Sequence, residues 1–183
     1  MATSIFVPGG YVQVLWRHGT GVRADELAKV GFDVSTVDTF EDYTSAFSAL
    51  RQANDGKPPV SHRSGLYSLL RVPMGAVGLE RRGMTFDEAS KTWLYNFTDP
   101  DSRYVVEWLT ENYRLGNFHP DILTMGEDVW EPAIAAFEFT GIISEDIYAF
   151  GYRAVTRAKA ENPNLTAEYV ALKPPKYNGQ QIP

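Results

Sequence analysis

Cysteine is absent from the 183 residues. That excludes disulfide scaffolds, cysteine-ligated zinc, iron–sulfur clusters and thiol chemistry. Long apolar runs are missing as well. The longest charge-free stretch covers residues 1–16, and Pro8-Gly9-Gly10 breaks it. It has no basic start and no continuous apolar centre, so it reads as a poor signal peptide and as too short for a membrane helix. With neither leader nor cysteine, the expectation is cytoplasmic synthesis and no membrane partner. An excess of positive charge is also lacking. Seventeen Lys and Arg face 23 Asp and Glu, a net charge of −6, which argues against a nucleic-acid partner. The phosphate-binding Gly loop, the dinucleotide fingerprint and the Gly-x-Ser-x-Gly elbow do not occur. His18, His62 and His119 lie too far apart for a metal-ligand motif. No cofactor and no metal ion is expected.

What is present is material for a core. Hydrophobic residues make up 44% of the chain, enough to exclude disorder for most of it. The expected fold class is mainly α within α+β, with about five helices, a small N-terminal β element and an extended C-terminal tail. The expected layout is an arm or strand over 1–20, a helical domain over 21–171 and a tail over 172–183. Tyr11-Val12-Gln13-Val14-Leu15-Trp16 follows a turn signal and is rich in β-branched and aromatic residues, so it is the best strand; Ser4-Ile5-Phe6-Val7 is a shorter candidate.

Helix signals follow. Asp38 and Glu41 have capping-box spacing, and Phe40, Tyr43, Phe47 and Leu50 form an apolar stripe behind them. Thr85 and Glu88 predict a second helix carrying Phe86, Trp93 and Leu94. Asp99-Pro100 opens a third, with Trp108 and Leu109 inside and Gly116 at its end. A fourth runs over 129–139. Ser144 caps a fifth, with Ile147 and Phe150 inward, stopped by Asn162-Pro163. The predicted core comprises the stripe Phe40, Tyr43, Phe47 and Leu50 with Trp93, Trp108, Leu109, Phe137, Ile147 and Phe150. The segment 72–79 is apolar but too Gly-rich for a stable helix, which predicts a buried loop. After Glu161 the chain reads as irregular.

Charge is uneven. Residues 99–146 carry two basic and eleven acidic side chains, and residues 147–183 carry five basic and two acidic. An acidic block and a basic tail can attract each other between subunits.

One motif suggests chemistry. The predicted strand runs into Arg17-His18-Gly19, and Val60-Ser61-His62 follows later. The pair resembles the histidine phosphatase family. The resemblance implies a mostly parallel sheet, His18 as the phosphate-accepting nucleophile, Arg17 as a phosphate ligand and His62 as the second histidine. A neutral imidazole is nucleophilic near pH 7, and a guanidinium fork matches phosphate.

Without a complete catalytic constellation, the leading expectation is a non-enzymatic interaction protein, a homo-oligomer or a subunit of a larger assembly. Virion neck, adaptor and cement proteins are the analogous class. The phosphohydrolase is the alternative. The expected interface residues sit on the two ends: Tyr11, Val12, Val14 and Trp16, then Pro174, Pro175, Tyr177 and Ile182.

Overall fold

The computed structural model describes residues 18–63, 65–80 and 83–180. The strand expected over 11–16, together with Arg17, Tyr11, Val12, Val14, Trp16 and Ile182, lies outside the described residues.

A four-stranded sheet organises the fold. Its strands are β1 (Gly19–Arg23), β2 (Val60–Ser61), β5 (Gly141–Glu145) and β6 (Tyr169–Leu172), in the order β2-β5-β1-β6. β1 pairs antiparallel with β5 and β6, and β2 pairs parallel with β5. The remaining strands, β3 (Met84–Asp87) and β4 (Thr92–Tyr95), make a separate antiparallel hairpin. The helices are α1 (Ala24–Lys29), α2 (Phe40–Ala53), α3 (Gly65–Leu69), α4 (Arg71–Ala76), α5 (Pro100–Arg114), α6 (Glu127–Ala135) and α7 (Arg153–Glu161). The fold is α+β. Among the described residues, no helix is long and apolar enough to cross a membrane.

β5 shows how the layers are built. All its residues are buried, and neighbours point to opposite sides. Ile143 joins the cluster formed by Phe40, Phe47 and Trp108 of α2 and α5, whereas Ile142 joins Trp130 and Ile134 of α6 and Ile147. A strand covered on both faces reads as a continuous apolar run, not as an alternating one. The sheet also depends on a missing side chain in β1. A Cβ at Gly21 would fall 2.8 Å from two Ile147 carbons, so glycine there admits Ile147 to the sheet surface.

Two helices match their sequence signals closely. α5 starts at Asp99, whose carboxylate accepts the Asp101 N–H at 2.8 Å, with Pro100 in the first turn. α2 has a capping box, but it is formed by Thr39 and Asp42, one position beyond Asp38 and Glu41. Thr39 Oγ1 accepts the Asp42 N–H at 3.0 Å, and the Asp42 carboxylate accepts the Thr39 N–H at 3.1 Å.

Other expectations are corrected. Residues 85–94 form the hairpin, not a helix. Phe86 faces Trp93 across the strands, and the Asp87 carboxylate accepts the N–H groups of Ala89 and Ser90 to close the turn. Trp93 is therefore 64% exposed rather than buried. Phe137 and Phe150 are half-buried. The segment 71–76 is helical despite Gly75, with Pro73, Met74 and Ala76 buried. Ser144 belongs to β5 and does not cap a helix; the last helical stretch opens as a π-helix over Tyr148–Tyr152 and continues into α7. The region after Glu161 contains β6.

The C-terminal segment lies along its own domain. The Tyr43 hydroxyl donates to the Lys173 carbonyl at 2.6 Å, and the Lys176 ammonium pairs with Asp38. Tyr177 packs beside Phe40 and Tyr104 and donates to Asp101 at 2.6 Å.

Candidate functional site

Because β2 and β5 run parallel, their carboxyl ends open on the same edge of the sheet. In α/β sheets, ligands bind in crevices outside such strand ends. β2 delivers His62 and Arg63 to this edge, and β5 delivers Ser144 and Glu145.

Arg63 is the centre of the arrangement. Its guanidinium stands 4.2 Å from the centroid of the Phe150 ring and 5.4 Å from Trp130. One terminal nitrogen lies 2.5 Å from Glu127 Oε2. Its Nε lies 3.5 Å from Glu145 Oε2, an ion-pair separation too long for a good hydrogen bond. Glu127 is exposed, whereas Glu145 is buried. Burial raises the Glu145 carboxyl above the ordinary glutamate range, and the Arg63 charge opposes that rise. Trp130 is held from behind: its indole N–H donates to Ser61 Oγ at 3.0 Å in the interior.

The backbone here departs from regular geometry. Ser144 has φ +58° within a strand, a left-handed conformation that costs a non-glycine residue about 1–2 kcal/mol. Its hydroxyl donates to Leu69 O at 2.7 Å and accepts the Val72 N–H at 3.2 Å, which fixes β5 to α3 and α4. The π-helix over Tyr148–Tyr152 follows within a few residues and presents Phe150 to Arg63. Strained residues and π-turns concentrate at functional sites. Directly after Arg63, α3 carries Leu66 and Tyr67, 52% and 50% exposed.

The expected histidine pair does not form a reaction centre. His62 is fully buried, with Nδ1 2.8 Å from the Ile143 carbonyl and 3.2 Å from Glu145 Oε1. Burial lowers its pKa to about 4, outweighing the carbonyls of Ile143 and Gly65 that favour the charged ring. A phosphate ester cannot reach it. His18 lies just before β1, and that strand is antiparallel to both neighbours, not part of a mostly parallel sheet. The phosphatase resemblance is thus corrected. Among the described residues, no cluster of His, Asp and Glu has the geometry to hold a metal ion. Of the expected interface residues, Tyr177 is placed on the chain's own α2 and α5, and Pro174 and Pro175 lie in the segment leading to it.

Neither a protein-family profile nor a curated protein sequence matches the chain. Solved structures do. A sugar transporter protein from Bacillus licheniformis, in complex with stachyose, superposes with a TM-score of 0.63 at 16% identity, covering 91% of this chain and 42% of that one. A putative binding protein from Bacillus subtilis, in an open conformation, gives 0.63 at 13% identity, covering 91% and 41%. An ABC-transporter substrate-binding protein from S. pneumoniae, in complex with fructo-nystose, gives 0.63 at 14%, covering 90% and 33%. The fold is shared. The chain spans about two fifths of the length of the first two proteins it matches. This corrects the expectation of a virion or assembly component: the matched structures include complexes with stachyose and fructo-nystose and a chitin oligosaccharide binding protein.

Sequence reasoning missed Arg63, Glu145 and Tyr67. The available signal was the pairing of two short apolar runs, Pro59-Val60-Ser61 and Gly141-Ile142-Ile143, each followed by charged residues.

Proposed function

We propose that this chain binds carbohydrate, at the sheet edge formed by Arg63, Tyr67, Glu145 and Phe150. The observation that carries the reading is the Arg63–Glu145 pair set against the Phe150 ring at the ends of two parallel strands, in a fold shared with proteins solved holding stachyose and fructo-nystose. The chemistry fits a neutral polyol. The guanidinium supplies a fork of donors, and the carboxylates of Glu145 and Glu127 beside it supply acceptors, a set suited to closely spaced hydroxyls. The exposed Tyr67 ring offers a flat apolar face with a polar tip, suited to the CH face of a sugar. Periplasmic binding proteins close two domains around their ligand by a hinge. A surface of this kind is then one wall of a site, and this chain alone binds more weakly than two walls together.

Calorimetric titration with stachyose, laminaribiose and a chitin oligosaccharide tests the reading. Saturable binding of at least one sugar is expected, reduced at least tenfold by Tyr67→Ala. Tyr67 is half exposed, so the variant should fold normally. Absence of binding to all three sugars, or affinity unchanged in Tyr67→Ala and in Arg63→Ala, would overturn it.

A further inference from the structure

A cleft of about 530 Å³ opens at the other end of β5, beside Thr140 and away from Glu145. It lies between the C-terminal end of α2, the start of α1 and the loop that follows α6. Its size falls within the range of small-molecule sites.

Phe137 is the informative residue in its wall. α6 ends in a Schellman arrangement: the Phe137 N–H donates to Ile134 O at 3.1 Å and the Glu138 N–H to Ala133 O at 3.0 Å. The residue after the cap adopts φ +57°, a position normally given to glycine. A bulky aromatic there is a true conformational outlier. Its ring lies 4.9 Å beneath the Arg23 guanidinium and stacks with Tyr169 at 6.3 Å between centroids. The strained backbone thus holds an aromatic ring at the cleft wall.

The polar lining is specific in kind. Arg23 is already engaged by Asp25 at 2.6 Å and Glu26 at 3.0 Å, and Glu26 also takes Lys29 at 2.8 Å. Across the lining, Arg23 and Lys57 balance Glu26 and Glu138. There is no net charge for an ionic ligand to seek. What remains is hydrogen-bonding capacity beside rings. His119 Nδ1 accepts the Asp121 N–H at 3.1 Å, so the neutral ring carries its proton on Nε2 as a donor. Its ring stands edge-on to Phe139 at 5.5 Å. Asn54 and Glu138 add a donor–acceptor amide and an acceptor.

We propose that this cleft is a binding site for a neutral sugar ring, packed against the edge of the Phe137 ring and hydrogen-bonded by His119, Asn54 and Glu138, separate from the surface around Arg63. A sugar combines an apolar CH face with closely spaced hydroxyls, and this lining offers rings and neutral hydrogen-bonding capacity together. The inference stands on the cleft's own chemistry, so it and the reading above fail independently.

The test is a series of ¹⁵N–¹H spectra of the full chain titrated with glucose, laminaribiose and stachyose to about 10 mM, well past a Kd of about 1 mM. Saturable shifts are expected at the amides of Asn54, Phe137, Glu138 and Phe139. Phe137→Gly suits the left-handed backbone while removing the ring, and His119→Ala removes the donor. Each should weaken the cleft shifts at least tenfold and leave shifts near Arg63 unchanged, while Tyr67→Ala should do the reverse. If Phe137→Gly does not fold, His119→Ala decides. Shifts confined to the Arg63 edge, no cleft shifts with any of the sugars, or unchanged cleft affinity in the folded variants would each overturn the proposal. So would tighter cleft binding of glutamate or inorganic phosphate run as controls.

Discussion

Acidification should destabilise this protein through His62. The ring is fully buried, and burial holds its pKa near about 4 against an ordinary 6.5. The unfolded chain therefore binds a proton between those values while the folded chain does not. Stability from the neutral ring is fully present above pH 6.5 and is lost as pH falls towards 4. Between pH 7 and pH 4.5 the loss from this group is about 2 kcal/mol, a shift of some 2.5 units at 1.36 kcal/mol each having mostly run its course. Glu145 works in the opposite sense. Its pKa is raised by burial, so its contribution favours the acid side and is lost as pH rises. A variant without the imidazole isolates the term. Urea unfolding of the wild type and His62→Gln at both pH values gives the required difference. The wild type should lose about 2 kcal/mol more than His62→Gln on acidification. Equal losses would mean that protonated His62 is accommodated in the fold, through a charged pair with Glu145 at 3.2 Å, and the burial argument would be wrong.

Three further outcomes are measurable by denaturant unfolding. Trp108→Ala removes a ring packed against Phe40 and Phe118 and an indole N–H that donates to Phe40 O at 3.0 Å and Thr44 Oγ1 at 2.9 Å, and should cost about 3–5 kcal/mol; a loss below about 1 kcal/mol would refute its place in the core. Trp93→Ala should cost less than about 1.5 kcal/mol, since the ring is largely exposed and packs edge-on against Phe86 at 5.3 Å. Thr39→Ala removes the side-chain half of the capping box of α2, leaves the backbone N–H of residue 39 on the Asp42 carboxylate, and should cost about 1 kcal/mol, whereas Asp38→Ala leaves that box intact and loses the partly exposed pair with Lys176.

The sequence carried the long helices well because their signals are local. Thr39 to Leu50 and Asp99 to Arg114 contain their own caps and their own stripes, and nothing distant competes with them. The hairpin over 84–95 was illegible for a definite reason. Phe86 and Trp93 are seven apart, a separation that places two residues on one helical face and equally suits a cross-strand pair around a short turn. The decision came from Asp87, which spends its carboxylate on the turn N–H groups of Ala89 and Ser90, and from the β-favouring run Thr92-Trp93-Leu94-Tyr95. Ser144 failed differently. Serine before an acidic residue reads as a helix cap, but here its hydroxyl is drawn to Leu69 O across 75 residues, a partner no local pattern reveals.

The candidate site was the least legible part because it exists only in the sheet pairing. Ser61 and Ile142 are partners in register, and that parallel match of two short strands is what brings Arg63 to Glu145. Neither residue has a distinctive neighbourhood in the chain. The Arg17-His18-Gly19 motif, by contrast, is conspicuous in sequence, yet its proposed partner His62 is sealed inside the protein with its Nδ1 at the Ile143 carbonyl. The two residues that follow β2 hold both outcomes. His62 is sealed against β5, and Arg63 is packed over the Trp130 and Phe150 rings. Both lie beside the Glu145 carboxylate, His62 at Oε1 and Arg63 at Oε2. Of the two, Arg63 alone continues to the surface, where it holds the exposed carboxylate of Glu127 at 2.5 Å, so a ligand arriving at this edge meets the guanidinium and not the imidazole.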